Sequence, residues 1–252
     1  MTNRTSGPGR RIATIAGAAV LVLLAGCTSS TPPPAATTPP STAATAAPTS
    51  AAPTVAAPAA AEILDRAKAN AIRATSAAFT GRVEQGGVEM LVDFKGTSDG
   101  STSDITLTSG SEGTARVLSV GGAVYIQADA AFWKAQGVPS AFPAEKFVKV
   151  PAAAAQFSDE FSLNALVDEA FAAVTSAQLS DSVGSAVVNG VDTWVVTDAR
   201  GAGEGALYVS KDRFEVVRFS GSSTSPGQLD FSSWNADLGI TAPPSDQVVA
   251  PG

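Results

Sequence analysis

A single thiol, Cys27, and no histidine anywhere in 252 residues restrict the chemistry open to this chain. One cysteine allows no internal disulfide. Without histidine there is no Cys/His zinc site and no serine–histidine relay, and no cysteine is left in the body of the chain to act as a nucleophile. Carboxylates could still do acid–base work, but the only adjacent acidic pairs are Asp159-Glu160 and Asp168-Glu169. The first pair precedes a predicted helix, where negative charge is favourable, and the second falls on that helix's wet face. The Gly-rich Arg200-Gly201-Ala202-Gly203-Glu204-Gly205 lacks the Lys-Ser/Thr and the following helix of a phosphate loop, and reads as a turn. No metal, cofactor or catalytic group is therefore expected, and the reading is of a protein that is not an enzyme.

Cys27 has a different chemistry. Arg4, Arg10 and Arg11 precede a 13-residue uncharged apolar run, Ile12 to Leu24, which ends in Leu24-Ala25-Gly26-Cys27. The run is short for a membrane-spanning helix and suits an export signal. The tetrapeptide resembles the bacterial lipobox, in which cleavage falls just before the cysteine and its sulfur carries diacylglycerol. One acyl chain holds a protein to a membrane only marginally, whereas two hold it stably. The expectation is a signal peptide over residues 1–26 and a mature protein lipidated at Cys27 on the extracytoplasmic face of the cell membrane. A plain secretory signal or an uncleaved anchor is the alternative. Arg10-Arg11 leaves the export route open between the general and twin-arginine pathways.

Residues 28–61 contain no charge and are rich in Thr, Ser, Ala and Pro, so with Cys27 they form a disordered tether over 27–61. At ~3.1 Å per residue its reach is roughly 100 Å. The threonines beside prolines are candidates for O-glycosylation. The rest, 62–252, is long enough for one domain. Three of the 16 basic residues precede Cys27, leaving 13 against 23 acidic ones, a net charge of −10 after cleavage. That balance repels phosphate backbones, and no basic stripe offsets it, so nucleic-acid binding is excluded.

Within the domain, Glu62 to Ala78 is predicted as a helix with Ile63, Leu64, Ala67, Ala71 and Ile72 on one stripe. Turn signals then mark hairpins. Gly86-Gly87 separates strands 79–85 and 88–95, Gly121-Gly122 separates 114–120 and 123–128, and Asn189-Gly190 separates 183–188 and 191–197. Lys211-Asp212 marks a fourth, between 206–210 and 213–219. Val88, Met90, Val92 and Phe94 alternate with Glu89, Asp93 and Lys95, with Leu91 as an exception. Ile105 and Leu107 repeat the pattern, as do Val124 and Ile126. Such strands belong to an antiparallel sheet covered on one side. From 130 to 175 the hairpin signals stop. Leu163, Leu166, Val167, Ala170, Phe171 and Val174 fit an amphipathic helix, and seven of the sixteen aromatics lie here: Phe132, Trp133, Phe142, Phe147, Phe157, Phe161 and Phe171. The fold class is α+β: about five strands, a helical insert, about five more strands, with helices on one face.

The segments 124–129 leading into Phe132-Trp133, Lys146 to Pro151, Phe231 to Asn235 and Ile240 to Pro244 stand in an order that resembles the LppX/LprG group of actinobacterial lipoproteins, relatives of the LolA/LolB carriers. The resemblance covers most of 62–249. It implies a curved antiparallel half-barrel of about ten strands whose concave side, closed by helices, holds acyl chains of a lipid or lipoglycan. It also implies a part in lipid binding or transport across the cell envelope. It transfers no individual residue, since the group's lining is diffuse and apolar. Moving a ~16-carbon chain from membrane to water costs on the order of 12 kcal/mol, so a carrier needs an apolar interior and no charged group. A large empty hollow carries its own penalty, so such a protein would copurify with lipid or collapse when empty.

The candidate lining is Val88, Met90, Val92, Phe94, Ile105, Leu107, Val124, Ile126, Phe132, Trp133, Leu163, Leu166 and Phe171. Period-2 alternation fits a pocket lining and an ordinary core equally well. Phe132-Trp133 is the candidate pocket lip. Three roles remain: a lipid-binding module, a tethered interaction or cell-wall module with a solid core, and, most distant, a carboxylate-based enzyme, which would need paired carboxylates in a cleft that no spacing here predicts. A monomer is expected, and the sequence names no protein partner.

Overall fold

A computed structural model describes residues 56–249 apart from 86, 139–141, 151–161, 173 and 175. Cys27, the tether to Val55, Asp159-Glu160, Phe157 and Phe161 lie outside the described residues. In chain order the elements are α1 (Ala60–Arg73), β1 (Ser76–Gln85), β2 (Val88–Thr97), β3 (Ser103–Ser109), β4 (Gly113–Val120), β5 (Ala123–Ala128), α2 (Ala130–Ala135) and β6 (Phe147–Val150). After these come α3 (Leu163–Ala172), β7 (Gly184–Val188), β8 (Val191–Thr197), β9 (Ala206–Ser210), β10 (Val216–Ser220), β11 (Gly227–Ser232) and β12 (Val248–Val249).

Helix α1 forms because Ala60, Ile63, Leu64, Ala67 and Ala71 recur at helical spacing and are all buried. Glu62 in its first turn and Arg73 in its last complement the helix dipole, and Glu62 pairs with Arg66 one turn on. The expected helix to Ala78 ends five residues early. Ser76, Ala77 and Ala78 lie across from Thr97, Gly96 and Lys95 in β2, so sheet pairing overrides the helical preference of the alanines.

All strands belong to one open sheet in the order β12-β6-β5-β4-β3-β2-β1-β11-β10-β9-β8-β7. Two meanders run outward from a centre where β1 pairs with β11. Among the described residues the count is twelve, not ten. The two strands missed are β6, four residues inside the expected helical insert, and β12, two residues that pair with β6 in parallel. Neither is long enough to show a period. The turns match their chemistry: Gly121 and Gly122 take φ of 60° and 74°, Asn189 and Gly190 51° and 79°. The fourth hairpin is longer than expected, because β10 starts at Val216 instead of Arg213 and the turn spans 211–215.

Cross-strand register puts Phe79, Phe94, Ile105, Val117, Ile126 and Val148 in one row on one face. On the opposite face stand Asp93, Thr106, Arg116 and Gln127. There Arg116 donates two hydrogen bonds to Asp104, at 2.8 and 2.7 Å. The pairing is charge-assisted and bidentate, and it holds the Arg116 guanidinium above its ordinary range.

Two glycines let the sheet close up. A side chain on Gly96 would meet the Phe94 ring at 2.7 Å, and one on Gly81 would meet the Gln228 carbonyl oxygen at 1.9 Å. The helices cover the apolar face unequally. A main core joins Ile63, Leu64 and Ala67 of α1 and Leu163, Val167 and Phe171 of α3 to Phe79, Phe94, Ile105, Val196, Leu207, Val209 and Phe231. A smaller core gathers Trp133 of α2 with Ala115, Ala128 and Val148.

Candidate functional site

Among the described residues no group of three His, Cys, Asp or Glu could hold a metal ion. Hydrogen bonds from Thr97 and Ser101 hold Asp99 below the usual carboxylate range, and those from Arg200 do the same for Asp198. Asp230 is also lowered: burial pushes its pKa up, and the bonds from Arg218 and Gln228 overcome that. Each of these carboxylates is tied to its own turn or ladder, with no second carboxylate facing it.

The apolar candidates separate by burial. Along β2, exposure falls from 40% at Val88 through half-buried Met90 and Val92 to 0% at Phe94. Phe94, Ile105, Leu163 and Phe171 meet in the main core, with Val92, Leu107 and Leu166 half-buried against it. Trp133 lies in the small core, with Ile126 and Phe132 half-buried against it. Val124 is buried in neither cluster, and Val88 and Met90 stand toward the β1–β2 hairpin tip. The structure thus places ten of the thirteen expected lining residues in two clusters and leaves Val88, Met90 and Val124 outside both.

Asp129 explains the position of α2. It caps the helix by accepting from the Phe132 backbone N–H at 2.9 Å and ties it to β4 by accepting from the Thr114 N–H at 2.8 Å. Both bonds favour the ionised form and hold its pKa down, led by the bond from Phe132. Gly113 has no room for a side chain beneath this cap. Trp133 Nε1 donates to the Ala128 carbonyl at 3.1 Å and fixes the ring over the sheet, edge-on to Phe132 and Phe142.

A half-buried apolar row crosses the sheet, from Ile126 beside the small core through residues packed against the main core to Met90 near the β1–β2 hairpin tip. Ile126 faces Val117 across β5 and β4, Leu107 faces Val92 across β3 and β2, and Met90 faces Val83 across β2 and β1. Four inter-strand steps at ~4.8 Å make this path roughly 20 Å long. Val117 was not among the sequence candidates, although Ala115, Val117 and Ser119 do follow the alternation in β4. Val83 was missed too, since β1 alternates weakly at Gly81.

Two pockets stand out among the described residues. One, of about 230 Å³, lies at the end of α1 between Arg73, Arg213, Glu215, Trp234 and Asn235. The other, of about 280 Å³, is an open dip beside Gly81, Arg82, Leu91 and Gln228. No helix among the described residues is long and apolar enough to cross a membrane.

The class defined here is an α+β protein built on one open, curved sheet with an apolar face. No family model matches the sequence, and no curated protein matches it. Solved structures similar to it include LprF from Mycobacterium bovis, at 14% identity over 73% of this chain and 96% of that one, with a TM-score of 0.45. Lipoprotein LppX from Mycobacterium tuberculosis is 12% identical over 72% of this chain and 98% of that one, with a TM-score of 0.43. A LolA superfamily protein from Nitrosomonas europaea is 15% identical over 74% and 99%, with a TM-score of 0.24.

Proposed function

We propose that this chain is a lipoprotein, anchored by diacylglycerol on Cys27 to the extracytoplasmic face of the cell membrane, that holds an acyl chain of a lipid or lipoglycan against the apolar face of its sheet. The observation that carries this reading is the half-buried row from Ile126 through Val117, Leu107 and Val92 to Met90. Single exposed apolar residues are ordinary, whereas a continuous half-buried apolar path across one sheet face supports a reading as a binding surface. Phe132 of α2 and Leu166 of α3 are the half-buried helix residues that would close over the ligand. Phe94, Ile105, Leu163, Trp133 and Phe171 support the row from the cores beside it. Burial of CH₂ groups at ~0.8 kcal/mol each supplies the affinity, and no charged group is needed.

Mass spectrometry of an organic extract of the purified protein tests this. A stoichiometric acyl lipid is expected, and Val117→Asp should abolish it while circular dichroism stays native. Lipid-free protein with no affinity for fatty-acyl probes would sink the reading.

A second reading draws on the main core, where Phe79 stacks on Phe94 at 4.8 Å and meets Phe231 at 5.1 Å, with Ile63, Phe94 and Leu163 fully buried. Space filled in this way suits a tethered interaction or cell-wall module. Native-like Val117→Asp protein that keeps its envelope phenotype would favour it.

A further inference from the structure

The pocket at the end of α1 has a different chemistry from the apolar row. Three segments build it: the last turn of α1, the 211–215 turn and the 233–236 turn after β11. Four non-glycine residues among those described have positive φ. Three lie on these two turns: Phe214 at 55°, Ser233 at 54° and Asn235 at 57°. The left-handed region is unusual for a bulky residue such as Phe214, and backbone held this way tends to gather at binding sites.

The strain is held by specific bonds. Asn70 Nδ2 donates to the Arg213 and Phe214 carbonyls, at 2.8 and 3.1 Å. The Arg66 guanidinium lies 3.8 Å over the Phe214 ring. Asn235 Oδ1 accepts from the Thr75 backbone N–H at 2.9 Å, and Trp234 Nε1 donates to the Val216 carbonyl at 2.8 Å. The walls are therefore fixed in advance of any ligand.

Charge decides what fits. Arg213 is balanced by Glu215 at 3.0 Å and by Asp212 at 3.9 Å. Arg73 donates only to the Asn70 side-chain oxygen, at 2.8 Å, and among the described residues no carboxylate lies within ion-pair distance of it. Arg73 also faces the negative end of the α1 dipole, but with no carboxylate partner and with Arg213 in the same lining it leaves the pocket able to take an anion. Beside it, the Glu215 carboxylate offers acceptors to hydroxyl groups. The volume, about 230 Å³, is roughly eight times the ~30 Å³ that a water molecule occupies in the liquid.

We infer that this pocket binds the phosphate ester of a small polyol, with the phosphate on Arg73 and the polyol hydroxyls toward Glu215 and Asn235. The ester's source is either a soluble glycerol phosphate or the headgroup of phosphatidylglycerol. Neither depends on the acyl row being occupied.

The test titrates purified full-length protein, wild type and Arg73→Gln, by calorimetry with glycerol phosphate and with glycerol. Calorimetry with a short-chain phosphatidylglycerol and a short-chain phosphatidylcholine, both kept below their micelle concentrations, gives the second arm, because the diacylglyceryl anchor by itself would carry the protein onto any vesicle. Arg73 is exposed, so the substitution leaves the core intact. Saturable binding of glycerol phosphate but not glycerol, weakened at least about tenfold in Arg73→Gln, supports a soluble ester. Arg73-dependent binding of the short-chain phosphatidylglycerol but not of the phosphatidylcholine supports the headgroup. Absence of both, or binding that Arg73→Gln leaves unchanged, overturns the site.

Discussion

The two cores on the same sheet face differ in how they are covered, and the difference teaches what makes a face buried. The main core lies under two helices of 14 and 10 residues and closes an aromatic network from Phe94 through Phe79, Phe231 and Phe219 to Phe171. The small core lies under six residues of α2 and buries one large side chain of that helix, Trp133. Alternation in the strands does not fix the depth of burial: Val92, Leu107 and Val117 stay half-buried against the main core even under the long helices, and Ile126 does so against the small one. These half-buried positions form the apolar row proposed to hold lipid.

That comparison breaks in a definite order. Phe94→Ala should cost about 3–5 kcal/mol, because the site is held by α1, α3 and neighbouring strands and cannot collapse. Chemical denaturation would show it, and a loss below about 1 kcal/mol would mean that the main core is not close-packed. Asp129→Ala should cost about 1 kcal/mol by removing the cap of α2, with the loss confined to the small core in hydrogen exchange.

The same residue sets a pH dependence. Its pKa is lowered on folding, so its contribution is complete above the unfolded carboxylate value and disappears as pH falls through the folded one. Wild type should therefore lose stability on acidification below about pH 4 faster than Asp129→Asn does. Equal acid curves would show that Asp129 does not anchor α2. The smallest effect is expected on the polar face, where Leu91 is 50% exposed: Leu91→Lys should stay within about 0.5 kcal/mol of wild type.

Much of the fold is legible in the sequence. The hairpins at Gly121-Gly122 and Asn189-Gly190 can be placed because a two-residue loop with positive φ admits few residue types. The end of α1 and the strands β6 and β12 are illegible for one reason: each exists through partners far away in the chain. The 76–78 segment is helical by composition and becomes strand only because β2 lies beside it, while β12 is held by two pairs with β6. The candidate lining fares similarly. Alternation identifies Val92, Leu107 and Ile126 as facing the same side as Phe94 and Ile105, but nothing local separates a half-buried position from a fully buried one.

The sequence by itself determined which side of each strand is apolar, where the chain turns, and that Cys27 is the one thiol available, since side-chain period, turn chemistry and composition are local properties. The tertiary structure alone decided that β1 meets β11, that two cores form instead of one, and that Arg73 stands beside Arg213 and Asn235. Those contacts join residues some 140 to 160 positions apart, and only the closing of the sheet around its covering helices brings them together.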